Sequence, residues 1–88
     1  MMRKILIVSY NQSSTNNAVE SVLKNQGPWW HYLKYTWLIS TIDSPFQLYN
    51  KIAPYIIKTD RIFIGEITNE YEGWLEQEAW DWIRKNQQ

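Results

Sequence analysis

The sequence predicts one small α+β domain in which helices cover an antiparallel sheet, and three observations lead to this prediction. Segments with the composition of strands interleave with segments that have helical periodicity. Turn and capping residues, most clearly the Ser-Pro-Phe-Gln sequence at 44–47, separate these segments. The 88 residues include no cysteine and 16% aromatic residues, so large rings rather than disulfides must hold the core together.

The chain begins with a predicted strand and a predicted helix. Residues 4–10 form the predicted strand, and the run at 5–8 is apolar on both faces, which is typical of a central strand that is covered on both sides or paired on both edges. Residues 18–26 carry apolar side chains at helical spacing. Asn17 and Glu20 have the spacing of an N-cap and its partner, and Gly27 supplies the C-terminal stop.

An aromatic hairpin follows this helix. Residues 29–35 and 36–42 are rich in aromatic and β-branched side chains, with a tight reversal near Lys34 and Tyr35. Alternation divides the first strand into two faces, with Trp29, His31 and Leu33 on one and Trp30, Tyr32 and Lys34 on the other. Trp37 lies on the second strand. Alternation alone leaves open which face of the hairpin is buried.

The Ser-Pro-Phe-Gln sequence predicts the start of a second helix. Ser44 is the expected N-cap, Pro45 occupies the first helical position, and Gln47 completes a capping box. The expected buried stripe consists of Phe46, Leu48, Tyr49, Ile52 and Ala53. Pro54 has no backbone N–H to donate, so we expect the helix to kink or break there.

The remaining elements complete a recognisable order. Residues 61–67 predict a fourth strand, and residues 74–85 predict a tryptophan-rich third helix. The order β-α-β-β-α-β then gives a ferredoxin-like antiparallel sheet with two helices on one face. The additional C-terminal helix would cover the open sheet face or an edge strand. Residues 1–88 would form a single domain.

The net charge is zero, but it is unevenly distributed along the chain. Residues 1–58 carry a net charge of +4 and residues 59–88 carry −4. Such halves can attract each other between two copies, whereas a dedicated nucleic-acid binder has a clear basic excess. The sequence has no signal peptide and no apolar stretch of membrane-spanning length, so we expect a cytoplasmic protein without a membrane partner.

The polar side chains do not form a complete catalytic motif. His31 is the only histidine, and a lone histidine is more often a packing residue than a general base. The carboxylates are poorly placed for a metal cluster and the glycines are isolated, so we expect no metal ligands and no cofactor. The candidate binding residues are Trp30 and Trp37, which can stack on bases, together with His31 and the loop residues Gln12 and Ser13.

Four segments together resemble a known family: ILIVSYN at 5–11, the WWHYL and TWL sequences of the hairpin, DRIF at 60–63, and GWL with AWDW near the C-terminus. The chain resembles small bacterial proteins labelled "SinR family", which are similar to the CRISPR adaptation endonuclease group that includes VapD-type toxins. The resemblance extends over nearly the whole chain. It implies a ferredoxin-like subunit that works as a homodimer.

The resemblance also implies candidate catalytic residues. Members of the wider group are metal-dependent nucleases or nucleic-acid-binding scaffolds, and their catalytic aspartate follows the first strand in a Tyr-Asp pair. The corresponding pair here is Tyr10 and Asn11. An amide is a poorer Mg²⁺ ligand than a carboxylate.

We therefore expect a homodimeric, non-catalytic module that binds a macromolecular partner, either protein or nucleic acid, in a toxin–antitoxin or defence system. One alternative is a nuclease of RNA or DNA that depends on Mg²⁺ or a similar divalent metal ion. In that alternative, the dimer interface would bring together Asn11, Gln12 and Ser13. A second alternative is a small-molecule sensor, because dimers of this fold class can bind ligands between their subunits.

Overall fold

The computed structural model describes residues 2–11 and 17–87. Within these residues the chain adopts a mixed α+β fold with four strands and three helices. The elements follow one another as β1 (Lys4–Asn11), α1 (Ala18–Lys24), β2 (Trp29–Leu33), β3 (Thr36–Thr41), α2 (Pro45–Ile52), a 3₁₀ turn (Ala53–Tyr55), β4 (Arg61–Ile67) and α3 (Gln77–Asn86).

The four strands form one antiparallel sheet in the order β2-β3-β1-β4. β1 lies in the interior of the sheet, and Ile7 near its centre is opposite Leu38 of β3 and Gly65 of β4. β2 pairs with the other side of β3, where Trp30 is opposite Leu38. β2 and β4 are therefore the edges of the described sheet, and β3 separates β1 from β2.

Both faces of the sheet are covered, and each face has its own hydrophobic core. On one face, α1 and α2 pack on the sheet, and the core contains Leu6, Val8, Tyr10, Val19, Leu23, Trp37, Ile39, Leu48 and Ile52. On the other face, α3 packs on the sheet, and the core contains Ile5, Trp30, Leu38, Ala79 and Ile83. The predicted cover on both sides of β1 is confirmed, and α3 covers a sheet face.

The aromatic hairpin is divided between these two cores. Trp37 lies in the core under α1 and α2, whereas Trp30 lies in the core under α3. Both side chains are buried. The reversal falls at Lys34 and Tyr35, as predicted. Alternation could not identify one buried face of the hairpin because each face contributes a buried tryptophan, Trp30 on one and Trp37 on the other.

Local sequence signals predicted the ends of α2 correctly. The Ser44 hydroxyl accepts a hydrogen bond from the Gln47 N–H at 3.2 Å, and the Gln47 side-chain oxygen accepts one from the Ser44 N–H at 2.9 Å. The capping box is therefore confirmed. The break at Pro54 is also confirmed, since α2 ends before this residue and a 3₁₀ turn contains it.

The buried stripe of α2 is narrower than predicted. Leu48 and Ile52 lie one turn apart on the helix and are fully buried. Phe46 is 73% exposed and Tyr49 is also exposed, so their assignment to the stripe is wrong. Phe46 lies about 200° around the helix from Leu48, because each residue of an α-helix turns by roughly 100°.

Two helix starts also differ from the prediction. Asn17 precedes α1, but its side chain makes no capping hydrogen bond. Its backbone (φ −90°, ψ 2°) lacks the extended conformation that lets a cap side chain reach the first turn. α3 begins at Gln77 rather than at residue 74, because Glu76 still has an extended backbone (φ −60°, ψ 151°). Trp74 therefore lies outside the helix.

The turn after α1 is held in place by Arg3. Its guanidinium donates hydrogen bonds to the carbonyl oxygens of Gln26 at 3.1 Å and Ser40 at 2.7 Å. Gly27 has a φ of +147°, a conformation that L side chains rarely adopt. A Cβ on Gly27 would overlap both the Arg3 guanidinium and the Ser40 carbonyl oxygen. The start of β1, the end of α1 and the end of β3 thus meet at a position that requires glycine.

We expect Gly27→Ala to lower the free energy of unfolding by about 2 kcal/mol, because the added methyl group combines a strained backbone with a steric overlap. Urea unfolding followed by tryptophan fluorescence measures this change. Gly73→Ala is the matched control, since a Cβ there meets only Trp80 at an ordinary 3.8 Å. It is expected to change the free energy by less than about 1 kcal/mol. Equal losses from the two substitutions would contradict this description of the turn.

Candidate functional site

Three of the predicted site residues meet in one cavity, on the face that α1 and α2 cover. The cavity has a volume of about 250 Å³, and we call it the His31 cavity. Tyr10 reaches it from β1, His31 from β2 and Trp37 from β3. Its other lining residues are Glu20, Leu23, Lys34 and Tyr35. The cavity therefore lies at the end of the sheet where the hairpin turns.

The His31 ring is fixed from two directions. It stacks on the Trp37 ring, with the centroids 3.9 Å apart and the planes 7° apart. Its Nδ1 lies 3.0 Å from the carbonyl oxygen of Thr36. A carbonyl oxygen only accepts hydrogen bonds, so Nδ1 carries the proton in this contact. In the neutral ring Nε2 is then a hydrogen-bond acceptor.

The Tyr10 hydroxyl is hydrogen-bonded to a buried carboxylate that is distant in the sequence. It donates a hydrogen bond to Oδ2 of Asp60 at 3.3 Å, and the same oxygen accepts one from the Ile57 N–H at 3.1 Å. The Tyr10 backbone N–H donates to the Tyr35 carbonyl oxygen at 2.8 Å. Tyr10 thereby connects β1 both to the start of β4 and to the hairpin turn.

The protonation of Tyr10 follows from these contacts. Burial raises the pKa of the Tyr10 hydroxyl above its usual 10.0, and the negative charge of Asp60 and the hydrogen bond to it raise the pKa further. Tyr10 is therefore neutral at physiological pH and acts as a hydrogen-bond donor. A proton-accepting role would need the opposite shift.

Asn11, the second member of the predicted catalytic pair, is separated from Tyr10. Successive side chains of a strand alternate, so Asn11 lies on the opposite face of β1. Asn11 is exposed, and its register partner in β4 is Arg61. Gln12 and Ser13 lie outside the described residues. The described part of the chain therefore does not bring Tyr10 and Asn11 together.

Trp30 is the other predicted binding residue that lies apart from the His31 cavity. It packs in the core under α3 and makes an edge contact with Tyr32, with the ring centroids 5.5 Å apart. The predicted binding residues thus divide between two faces, with His31 and Trp37 on one and Trp30 on the other.

The exposed Trp29 ring extends the aromatic cluster away from the cavity. It lies 5.4 Å from Trp37, and the ammonium group of Lys24 is 5.1 Å from its centroid. Lys24 also pairs with Glu20 at 2.9 Å. The spacing of Glu20 and Lys24 predicts their ion pair, but no local pattern predicts that Lys24 lies over Trp29. This contact depends on how α1 crosses the sheet.

The described carboxylates and His31 do not gather at one point. Within residues 2–11 and 17–87, no group of three or more His, Cys, Asp or Glu side chains is placed to hold a metal ion. The His31 cavity presents an aromatic surface, a hydrogen-bond acceptor at His31, a cation at Lys34 and the carboxylate of Glu20, which pairs with Lys24.

Comparisons of the chain with protein-family models, with curated proteins and with solved structures give no significant match. The resemblance to the SinR-type group therefore stays a prediction. Among the described helices, none combines the length and the apolar character that crossing a membrane requires.

We expect Tyr10→Phe to lower the free energy of unfolding by about 1–2 kcal/mol, because Asp60 stays buried and loses a donor. Urea unfolding near pH 7 measures this loss. Tyr35→Phe is the matched control, because it removes the same hydroxyl from a ring that is 49% exposed. Its expected effect is below about 0.5 kcal/mol. Similar losses from both variants would contradict the role of the Tyr10 hydroxyl.

The stability difference between the unaltered chain and Tyr10→Phe is expected to narrow at high pH. In the unfolded chain Tyr10 ionises near pH 10.0, whereas its pKa in the folded chain is higher. Stability from this group is complete below pH 10 and is lost as pH rises through the folded pKa, because the unfolded state releases its proton first. Unfolding at about pH 9 and about pH 11 measures the change, and a constant difference would contradict it.

Proposed function

We propose that the protein is a small, non-catalytic, homodimeric module that binds a macromolecular partner along the β2 edge of its sheet. The observation that carries this proposal is the row of exposed side chains on that edge and on the turn that follows it. Trp29 is 40% exposed, Tyr32 78% and Tyr35 49%, and Leu33 between them is also exposed. Single exposed apolar residues are ordinary, but a neighbouring set is typical of an interaction surface.

β2 offers a partner both backbone and side-chain contacts. As an edge strand it has an outer row of N–H and C=O groups that no described strand pairs with. Trp29 lies beside Trp37 on one face of the sheet, and Tyr32 lies beside Trp30 on the other. A strand added to this edge would touch rings on both faces. We therefore favour a partner protein that binds as an additional strand.

The non-catalytic part of the proposal is supported by hydrogen bonds that the candidate polar side chains make within the protein. Nδ1 of His31 is engaged by Thr36, and the Tyr10 hydroxyl is engaged by Asp60. The Arg61 guanidinium, near Asn11 in register, donates to the carbonyl oxygens of Lys58 and Asp60. These hydrogen bonds are structural contacts that hold strands and turns together.

Homodimer formation is supported by the charge distribution. With +4 on residues 1–58 and −4 on residues 59–88, two copies related by a two-fold axis can bring opposite charges together. Light scattering should give about twice the chain mass of 10.7 kDa, and the mass of a single chain would overturn the homodimer.

We also propose that the arrangement of the elements is ferredoxin-like. This is supported by the position of β3 between β1 and β2 and by the packing of α1 and α2 on one face of the sheet.

A single strand of nucleic acid is the second candidate partner, because two cations lie beside exposed rings of the hairpin. The Lys24 ammonium group is 5.1 Å from the Trp29 centroid, and that of Lys34 is 5.3 Å from the Tyr35 centroid. Exposed rings can stack on bases while neighbouring lysines contact phosphates. Salt-dependent binding of a labelled oligonucleotide would favour this candidate over a protein partner.

We expect Tyr32→Ser to weaken capture of the partner about 30-fold, because an aromatic residue at the centre of an interface contributes about 2 kcal/mol or more. The immobilised chain is incubated with an extract of its source cells, and each captured protein is quantified for the unaltered chain and the variant. If the protein were a small-molecule sensor instead, no captured protein would depend on Tyr32.

Phe46→Ser is the matched control for this experiment. It removes a ring that is 73% exposed, close to the exposure of Tyr32, but it lies on α2 rather than on β2. A protein lost with Tyr32→Ser and retained with Phe46→Ser supports the β2 edge as the binding surface. Equal capture by the unaltered chain and both variants would overturn the proposal.

The alternative of a metal-dependent nuclease is tested with labelled RNA and DNA in the presence of Mg²⁺ or Mn²⁺. We expect no cleavage by the unaltered chain, because an amide stands at Asn11 where this chemistry needs a carboxylate. The variant Asn11→Asp is assayed beside it. Cleavage by the unaltered chain that a chelator abolishes would overturn the non-catalytic proposal, and Mg²⁺ would then be its cofactor. A role in a toxin–antitoxin or defence system remains part of the proposal in either case.

A further inference from the structure

A second cavity, of about 400 Å³, lies beside α3 on the face of the sheet opposite the His31 cavity. We call it the α3 cavity. The sheet and the chain around α3 both contribute to its walls, chiefly through Ile7, Trp30, Leu38, Tyr71, Gly73 and Trp80. It adjoins the β2 edge, because Leu33 is also part of its lining, but most of its lining lies on other strands and on the chain around α3.

The α3 cavity is open because the segment in front of α3 does not fill it. α3 begins only at Gln77, and the preceding chain has no regular secondary structure. Gly73 has no side chain, and a Cβ on it would lie 3.8 Å from the Trp80 ring. The next residue, Trp74, is 98% exposed, so its ring does not close the cavity.

The walls of the α3 cavity favour an apolar ligand. Its volume lies in the range of small-molecule sites, which are mostly apolar and carry a few polar groups. Ile7, Leu38 and Trp30 give water few hydrogen-bond partners. An apolar group that displaces such water gains binding free energy.

Glu72 determines the charge that the ligand should carry. It is the only charged side chain among the described residues that line the cavity. Its carboxylate makes no hydrogen bond or ion pair with any residue that the structure describes. Glu72 is exposed, so its carboxylate lies at the mouth of the cavity, where it attracts cations and repels anions.

The aromatic rings of the cavity reinforce this preference. Trp30, Tyr71 and Trp80 line it, and the Tyr71 and Trp80 rings are nearly parallel, with an angle of 16° between their planes. The negatively polarised face of an aromatic ring attracts an ammonium group, most strongly in tryptophan. A neutral ligand would fill the same space without gaining this attraction.

We propose that the α3 cavity binds a small organic cation, whose apolar body packs between the sheet and α3 and whose ammonium group lies near Glu72. This site shares Leu33 with the partner surface on β2 but does not include Tyr32.

Three probes that share a phenyl group and differ in charge test the proposal: 2-phenylethylamine, which is a cation at pH 7, the neutral 2-phenylethanol, and the anion phenylacetate. Each is titrated into the ¹⁵N-labelled chain while the indole N–H signals of Trp30 and Trp80 are followed by NMR. We expect the amine to shift both signals and to bind at least about 10-fold more tightly than the alcohol. We expect no saturable shift with phenylacetate.

Matched variants assign the binding to this cavity. Glu72→Gln should reduce the affinity for the amine to that for the alcohol. Glu70→Gln removes the same charge from a residue outside the lining and should change the affinity less than about 2-fold. Gly73→Leu should fill the space beside Trp80 and abolish binding of both the amine and the alcohol. Thermal unfolding of each variant confirms that it is folded, and Glu72→Gln decides the outcome alone if Gly73→Leu does not fold.

Several results would overturn the proposal. They are equal binding of amine and alcohol, equal weakening by Glu72→Gln and Glu70→Gln, and unchanged binding by a folded Gly73→Leu chain. Tryptophan signals that respond to dilution of the protein and not to the amine would identify this face as a contact between two copies, which also overturns it. None of these results bears on capture through Tyr32, so the two proposals fail separately.

Discussion

The rest of the structure depends on the burial of β1 on both of its faces. β1 pairs with β3 on one side and with β4 on the other, and its side chains enter two cores in alternation. A chain of 88 residues buries a limited fraction of its surface, and here that burial is divided between two thin layers. Each layer needs its own helical cover, so α3 is an essential part of the fold.

Two cores in so short a chain explain the large number of aromatic residues. Each core contains a tryptophan of the hairpin, Trp37 on one face and Trp30 on the other. A tryptophan covers more sheet than an aliphatic side chain can, so few residues close each layer. The same division separates the residues that the sequence suggested as one binding set, because alternation sends neighbouring hairpin residues to opposite faces.

Features that depend on neighbouring residues could be predicted from the sequence, whereas features that depend on the path of the chain could not. The capping box of Ser44 and Gln47 and the break at Pro54 involve contacts within one turn. The bond from Tyr10 to Asp60 joins residues 50 positions apart, and nothing local to either residue indicates it. The order of elements was therefore predictable, but the hydrogen bonds that assemble the His31 cavity were not.

The errors in the predicted helices both concern large rings that stay outside the two cores. The sequence predicted Phe46 in the buried stripe of α2 and Trp74 at the start of α3, yet both rings are largely exposed. Leu48 and Ile52 already fill the space that the sheet leaves under α2, whereas Ala79 and Ile83 pack on the sheet beside a cavity that Trp74 does not fill. The buried apolar stripe of a helix can be only as wide as the core on which the helix packs, and each of the two cores here is thin. The rings left outside, and the spaces they do not fill, are where this fold can meet other molecules.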